Sequence, residues 1–336
     1  MKILFYASML SLLFLSCSPR ILRVIPPHQL ANLELEVPNT HGLNPGMEIP
    51  LRATVTLTNG KIYSTHPNSN EQRLLLWDDL LVQSDKAQFQ YHNQKLLIDQ
   101  NLVYTGSPDT VEIFLKINSY PSRYDSKKVI VDYKSDYHFN ANGTHGYHGQ
   151  NGYEGSDSRE DKDDGCQGGD GSDGRSGSPG RHVTAYITDT IVHGARLFKC
   201  QFETENQTRK TMLFANHQIT ITANGGHGGN GGDGGDGGRR NSNAYYKGGH
   251  GGNAGHGASG GNITLYLSDS VYLLQNQFHL ESRAGHRGKA GRTGRGIQNS
   301  PGLTGFLIDA ILFPKKAGTP GANGFTDGKI QVLKMK

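Results

Sequence analysis

The chain has 336 residues, enough for about two domains at ~100–200 residues each. Of its 46 glycines, four lie in residues 1–142 and forty-two in residues 143–336. With hydrophobic residues at 34%, the second half cannot build a conventional Leu/Ile/Val core throughout, and a net charge of +4 gives no argument for nucleic acid.

Residues 1–16 read as a signal peptide. Lys2 precedes the apolar run Ile3–Leu15 and then Ser16-Cys17, too short for the ~20 residues of a transmembrane helix. Two fates are open, cleavage with release or lipidation. The string Phe14-Leu15-Ser16-Cys17 resembles a bacterial lipobox, with Phe14 where Leu is usual. That resemblance implies acylation of Cys17, which then becomes the mature N-terminus and a firm membrane anchor. Residues 17–32 are then a lipid-anchored linker. With Cys17 lipidated, Cys166 and Cys200 remain, an even pair in an exported protein. A disulfide between them is expected, with two free thiols as the alternative. Neither lies in a CxxC or other zinc-ligand spacing, so no metal site is expected there.

Residues 33–137 alternate apolar and polar: Leu33-Leu35-Val37, Leu51-Ala53-Val55-Leu57 and Val111-Ile113-Leu115-Ile117. Period two indicates half-buried strands. Turn signals fall at Asn44-Pro45-Gly46, Asn59-Gly60, His92-Asn93 and Gly106-Ser107-Pro108. Seven or eight short strands over this length suit an immunoglobulin-like sandwich, with Trp77 in its core. The string Leu43-Asn44-Pro45-Gly46, Leu51–Val55, Asn59-Gly60-Lys61 and Trp77 resembles bacterial Ig-like domains of the invasin type. The resemblance implies a spacer or adhesion module on a cell surface.

Residues 138–336 alternate glycine tracts with strand-like segments. Gly143–Gly155 and Gly165–Gly180 repeat as G-x-x, Gly225–Gly238 and Gly248–Gly261 as G-G-x, and Gly285–Gly294 and Gly318–Gly324 again as G-x-x. Strands are expected at His182–Ile187, Ile219–Ala223, Ile263–Leu267, Val271–Leu274 and Lys329–Leu333. A collagen-like triple-helical trimer is excluded by short, interrupted tracts almost without proline. Flexible linkers remain the bland alternative, although linkers do not hold phase over five triplets. The reading adopted is a bundle of three-residue-per-turn helices whose bare glycine edges let backbones approach and hydrogen-bond. The two G-G-x tracts then belong in the middle. The pattern resembles the polyglycine-II bundles of some phage adhesins and antifreeze proteins, and glycine-rich lipoproteins of Bacteroidota-like bacteria. The expected fold is thus mainly β, an Ig-like β-sandwich followed by a polyglycine-II bundle interleaved with β-strands.

Chemistry-bearing motifs are few. Gly257-Ala258-Ser259-Gly260-Gly261 matches G-x-S-x-G, but it is one phase of a glycine repeat and lacks the strand–turn–helix context of a nucleophile elbow. The acidic stretch 157–173 is a candidate for structural calcium, without the nine-residue repeat of calcium-binding nonapeptides. Six histidines (His145, His148, His227, His250, His256 and His286) occupy tract positions, where any polar residue would serve. Arg283, Arg287, Lys289, Arg292 and Arg295 form a basic run. Arg239, Arg240, Tyr245, Tyr246 and Lys247 form a candidate binding loop between the G-G-x tracts. No catalytic set and no cofactor are expected. The sequence points to a noncatalytic, lipid-anchored outer-membrane protein, on the surface or periplasmic face, serving as a structural or binding subunit of a cell-envelope complex. The alternative is a surface adhesin binding glycan or protein through loops of the glycine-rich domain.

Overall fold

The computed structural model describes residues 21–22, 24–38, 40–67, 72–157, 166–241, 244–296 and 317–335; the signal segment and Cys17 lie outside them. The chain is mainly β and divides into two compact units. The first comprises Met1–Ser135 with Ile191–Leu197 and Lys210–Phe214; the second comprises Asp136–Thr190, Phe198–Arg209 and Ala215–Lys336. The first unit is therefore discontinuous, where one stretch from 33 to 137 was expected. Its core takes in Leu197 and Met212.

In the first unit the strands are β1 (Ile21–Leu22), β2 (Leu30–Glu36), β3 (Glu48–Pro50), β4 (Arg52–Leu57), β5 (Ile62–Ser64), β6 (Gln72–Leu75), β7 (Leu80–Ser84), β8 (Ala87–Gln90), β9 (Lys95–Ile98), β10 (Asp109–Ile117) and β11 (Tyr120–Val131). They form three sheets, ordered β1-β6-β5-β4-β2, β11-β10-β7 and β3-β9-β8. Alternation works as expected: Ala53, Val55 and Leu57 of β4 and Val111, Ile113, Leu115 and Ile117 of β10 are buried. Asn59-Gly60 closes the β4–β5 hairpin, where Gly60 takes a φ of 77° that a side chain would strain. Two pairings, β1 with β6 and β5 with β6, are parallel. That departs from the all-antiparallel immunoglobulin pattern. Trp77 lies in the core against Phe89, their ring centroids 4.7 Å apart. Beside it the buried Asp79 carboxylate accepts the Ile25 amide (2.9 Å), the Ser119 amide (2.9 Å) and the Ser119 hydroxyl (2.7 Å).

The remaining strands are β12 (Tyr137–Asn140), β13 (Val183–Val192), β14 (Ala195–Thr204), β15 (Gln207–Phe214), β16 (Ile219–Thr222), β17 (Arg239–Asn241), β18 (Ala244–Tyr245), β19 (Ile263–Leu267), β20 (Phe278–Glu281) and β21 (Ile330–Lys334). Parallel pairing joins β12, β16 and β20 in one sheet, and β13, β19 and β21 in another that continues through β14 to β15. Between these sheets Phe139 stacks on Phe202 at 4.8 Å. The strand expected at Val271–Leu274 falls instead on the last two residues of a short helix, α1 (Asp269–Tyr272), and the turn that follows it. Ser268 is its extended N-cap residue and Asp269 sits in the first turn, where an acid suits the helix dipole.

The tracts turn these strands into a threefold repeat. Strand β12 runs into tract one (141–157), and tract two (166–182) leads into β13. Likewise β16, tract three (223–238), tract four (246–262) and β19 follow one another, then β20, tract five (282–296), tract six (317–329) and β21. Each repeat is strand, tract, returning tract, strand.

Candidate binding surface built on the glycine tracts

Backbone amides have to find acceptors, and the tracts find them in one another. Each lies antiparallel to the next along the chain: the Gly229 amide donates to the Arg175 carbonyl, and the Gly255 amide to the Gly229 carbonyl, both at 2.8 Å. Tracts one to four are also bonded to the tract two further on, as Gly146 is to the His227 carbonyl and Gly228 to the His286 carbonyl, again at 2.8 Å. The bonds recur every three residues. Six tracts therefore form two interlocked rows, one-three-five and two-four-six, with three and four in the middle.

Glycine placement follows from this packing. A Cβ on the first glycine of a triplet would overlap a carbonyl of the next tract, as Gly231 would overlap Gly252. One on the second glycine would overlap a carbonyl two tracts earlier, as Gly232 would overlap Gln150. The middle tracts have both neighbours and read G-G-x. Tracts one and two have none two tracts earlier, so Tyr147, Gln150, Ser172 and Arg175 occupy the second position. Tracts five and six keep only the second glycine, for instance Gly288, which faces Gly229, and Gly321, which faces Gly255.

The third triplet position is not open to any polar residue, contrary to expectation. Its side chain accepts the amide of the matching residue in the next repeat. His148 Nδ1 accepts from Asn230 (2.8 Å), whose Oδ1 accepts from Lys289 (2.9 Å). Asn151 accepts from Asp233 (2.9 Å), which accepts from Arg292 (2.7 Å). In the other row Asp173 accepts from Asn253 (2.6 Å), which accepts from Thr319 (2.9 Å). Short Asn, Asp, His or Ser side chains are what this geometry needs. Of the basic run, Arg283, Lys289, Arg292 and Arg295 hold this position on the third repeat, which has no further repeat to serve, while Arg287 takes a first position and its amide donates to Asn323 Oδ1.

The tract histidines belong to the same ladders. His145, His227 and His286 stack in a column, with ring centroids 4.7 and 5.1 Å apart. His145 Nδ1 accepts the His227 amide at 2.9 Å, and His227 Nδ1 accepts the His286 amide at 2.8 Å. Burial, and then the neighbouring His145 and His286, push the His227 pKa below its ordinary value. His256 Nδ1 accepts the Ala322 amide, and the His250 amide donates to Asp170. Asp170 and Asp173 of the acidic stretch thus act as backbone acceptors, while 158–165 lie outside the described residues. Among the described residues no three His, Cys, Asp or Glu side chains are placed to hold one metal ion.

Other expected sites resolve differently. The Ser259 carbonyl accepts the Gly180 amide and the Gly257 amide donates to Ala322, so the G-x-S-x-G string is lattice backbone. The expected Cys166–Cys200 disulfide is not formed: both are free thiols, Cys166 exposed and Cys200 buried in β14. Burial pushes the Cys200 thiol up. The candidate loop is a hairpin in which β17 pairs with β18, Arg239 opposite Tyr245. The side chains of 239–245 lie outside the described set. Tyr246 and Lys247 begin tract four, where the Tyr246 amide donates to Gly238 and the Lys247 carbonyl accepts from Gly168.

One edge went unrecognised in the sequence. Where tracts three and four have their second glycine, tracts one and two carry Thr144, Tyr147, Gln150, Tyr153, Ser172, Arg175 and Ser178. Tyr147 and Tyr153 are 76% and 73% exposed. The signal was there in the second position of each triplet, which distinguishes an outer tract from a middle one. The chain matches no known family model, no curated protein and no solved structure. Among the described residues no helix is long and apolar enough to cross a membrane.

Proposed function

We propose that the chain is a noncatalytic, lipid-anchored outer-membrane protein that serves as a structural or binding subunit of a cell-envelope assembly. Its first unit is read as an Ig-like β-sandwich, and its tracts as polyglycine-II helices interleaved with β-strands. The observation that carries the reading is the cross-linked tract backbone, in which glycine amides such as those of Gly146, Gly149 and Gly152, or Gly226, Gly229 and Gly232, are held by carbonyls of other tracts at a three-residue period. None of the described tract glycines has a positive φ, in keeping with the extended three-residue-per-turn helix. Such a cross-linked backbone is stiff, with short side chains on its middle tracts and longer ones such as Tyr147, Tyr153 and Lys289 on its outer tracts, which suits a platform for protein contacts. The membrane anchor is supported by Ile3–Leu15 followed by Ser16-Cys17.

The adhesin alternative is favoured by the β17–β18 hairpin, a structured tip between the two middle tracts. Native purification from solubilised membranes separates the two readings. Stoichiometric recovery with an envelope protein supports the subunit, whereas recovery alone with glycan-array binding supports the adhesin. Cys17→Ser is expected to lose membrane retention, and full retention after a carbonate wash rejects the lipid anchor.

A further inference from the structure

The first and third repeats close on themselves bonds that the middle repeat makes with its neighbours. In tract three the second-position amides reach back to carbonyls of tract two, Gly226 to Ser178 (2.9 Å), Gly229 to Arg175 (2.8 Å) and Gly232 to Ser172 (2.9 Å). Tract one has no earlier repeat, and hydroxyls of its own returning tract stand in. Ser178 Oγ accepts the Thr144 amide at 2.8 Å, and Ser172 Oγ accepts the Gln150 amide at 2.7 Å. The opposite end is finished in the same way. First-position amides of tract three reach forward to tract five, Gly228 to the His286 carbonyl (2.8 Å) and Gly231 to the Lys289 carbonyl (2.9 Å). Those of tract five stay within the third repeat, Ala284 donating to Asp327 Oδ1 (2.7 Å) and Arg287 to Asn323 Oδ1 (3.0 Å).

Side chains at both ends also exclude a further repeat. Gly229, Gly232 and Gly235 are bare because a Cβ would overlap the carbonyls of Tyr147, Gln150 and Tyr153 two tracts earlier. Those three residues hold the same second place in tract one, so a repeat set before them would meet three Cβ atoms. At the far end Lys289, Arg292 and Arg295 stand where Asn230, Asp233 and Asp236 accept amides in the middle repeat. Ammonium and guanidinium groups only donate, so a repeat set after them would find no acceptor there. In the sheet of returning strands, the other side of β13 is paired with β14. A second copy of the chain brought end to end would fail at all three places.

The middle repeat has none of these stops. Its second-position glycines are bare, its third-position side chains accept, and it bonds a repeat before it and a repeat after it. Ile219 pairs in register with Phe278, 59 residues on, so the segment 219–277 begins and ends at equivalent points. We propose that the glycine-rich unit is a capped array, in which the first and third repeats are end caps and the middle repeat is a unit that can be copied between them. In an array whose repeats touch only their neighbours, each extra middle repeat adds its own interfaces to the stability of the whole.

The test is an extended full-length protein, with a second copy of 219–277 inserted after Gln277. Phe198 packs on Phe278, their ring centroids 5.6 Å apart, and Ile219→Phe in the inserted copy keeps a ring at that place. The extended protein should melt in one cooperative transition at least ~2 °C above wild type, with the insert resistant to limited proteolysis. The same insert carrying Gly229→Tyr, Gly232→Gln and Gly235→Tyr, the residues of tract one, should be clipped and should not raise the midpoint. An insert carrying Asn230→Lys, Asp233→Arg and Asp236→Arg, the residues of tract five, keeps its glycines but offers the next repeat no acceptors. It should fall between the other two. An unmodified insert that is clipped out, or that fails to raise the midpoint, overturns the proposal, because the middle repeat is then not a copyable unit. If either cap-type insert melts and resists protease as the unmodified one does, the proposal falls too, because those side chains are then no stop.

Discussion

The amide of His227 donates to Nδ1 of His145, a residue 82 positions earlier in the chain. The bond requires an unprotonated Nδ1, and the next one, from the His286 amide to His227 Nδ1, requires the same of His227. Protonating the column therefore breaks the ladder and places like charges in stacked rings.

Acid should loosen the second unit for this reason. The folded-state pKa of His227 is lowered, chiefly by burial and then by the two histidines on either side. A group lowered in this way stabilises the fold above its unfolded pKa of about 6.5, and the contribution is lost as pH falls below that toward the folded value. Melting curves at about pH 7.5 and about pH 5.5 bracket the window. The Tm should drop on acidification, and His227→Asn should flatten the drop, since Asn224 and Asn230 already accept the Arg283 and Lys289 amides. At the higher pH that variant should stay within about 2–4 °C of wild type. An acid response identical in both proteins would remove the histidine column as its cause.

The thiols give a direct chemical readout. Cys166 is exposed, whereas Cys200 is buried with its pKa raised, so only Cys166 is accessible to a thiol reagent in the native protein. Iodoacetamide should add once to native, unreduced protein, on Cys166, and a second time only after denaturation. Mass spectrometry of the two cysteine peptides checks it; a native protein in which neither reacts would restore the disulfide.

Much of this architecture was legible, and what was not had a physical reason. Period-two alternation located β4 and β10 because each strand has one face in the core. Phase-locked glycine located the tracts because bare backbone is needed wherever a carbonyl abuts. The threefold repeat was harder to read, because its copies sit at unequal separations: Tyr137 pairs with Ile219, and Ile219 with Phe278. The side-chain ladder was hidden for a different reason. Asn230, Asp233 and His227 look like ordinary solvated residues until a neighbouring amide is placed against each. Leu197 and Met212 gave no local hint that the first unit's core would include them.

In the first unit, Asp79 should matter more than its position in a short turn suggests. Its carboxylate gathers the Ile25 amide and both polar groups of Ser119, while its carbonyl accepts the Asn118 amide. Asp79→Ala leaves the buried Ile25 amide without its acceptor and frees exposed Ser119, and should cost about 1–3 kcal/mol. Asp79→Asn, which keeps one acceptor oxygen, should cost less. Urea titration followed by fluorescence of Trp77, the single tryptophan, reports the unit directly. A variant within about 0.5 kcal/mol of wild type would show that the carboxylate does not fasten these segments.

The lattice rule makes its sharpest statement at two corresponding positions. Gly232 in tract three and Gln150 in tract one hold the same second place in their triplets. The Gly232 amide bonds to Ser172, its carbonyl accepts from Gly252, and a Cβ there would overlap the Gln150 carbonyl. Every obstructing atom is backbone held by its own bonds, so the tract cannot yield locally. Gly232→Val should therefore cost at least the ~1–3 kcal/mol of ordinary overpacking, with loss of neighbouring hydrogen bonds in addition. Gly231→Val should behave alike, because its Cβ meets the Gly252 carbonyl. Asn230→Val introduces no clash and removes only the acceptor of the Lys289 amide, which water can replace, so about 0.5–1.5 kcal/mol is expected. At Gln150 the chain already carries a long side chain, since no tract lies two places earlier. Gln150→Val should accordingly be nearly silent. Thermal melts with limited proteolysis of these four variants decide the matter: two cooperative losses beside two mild changes fit the lattice, whereas four superimposable curves would sink it.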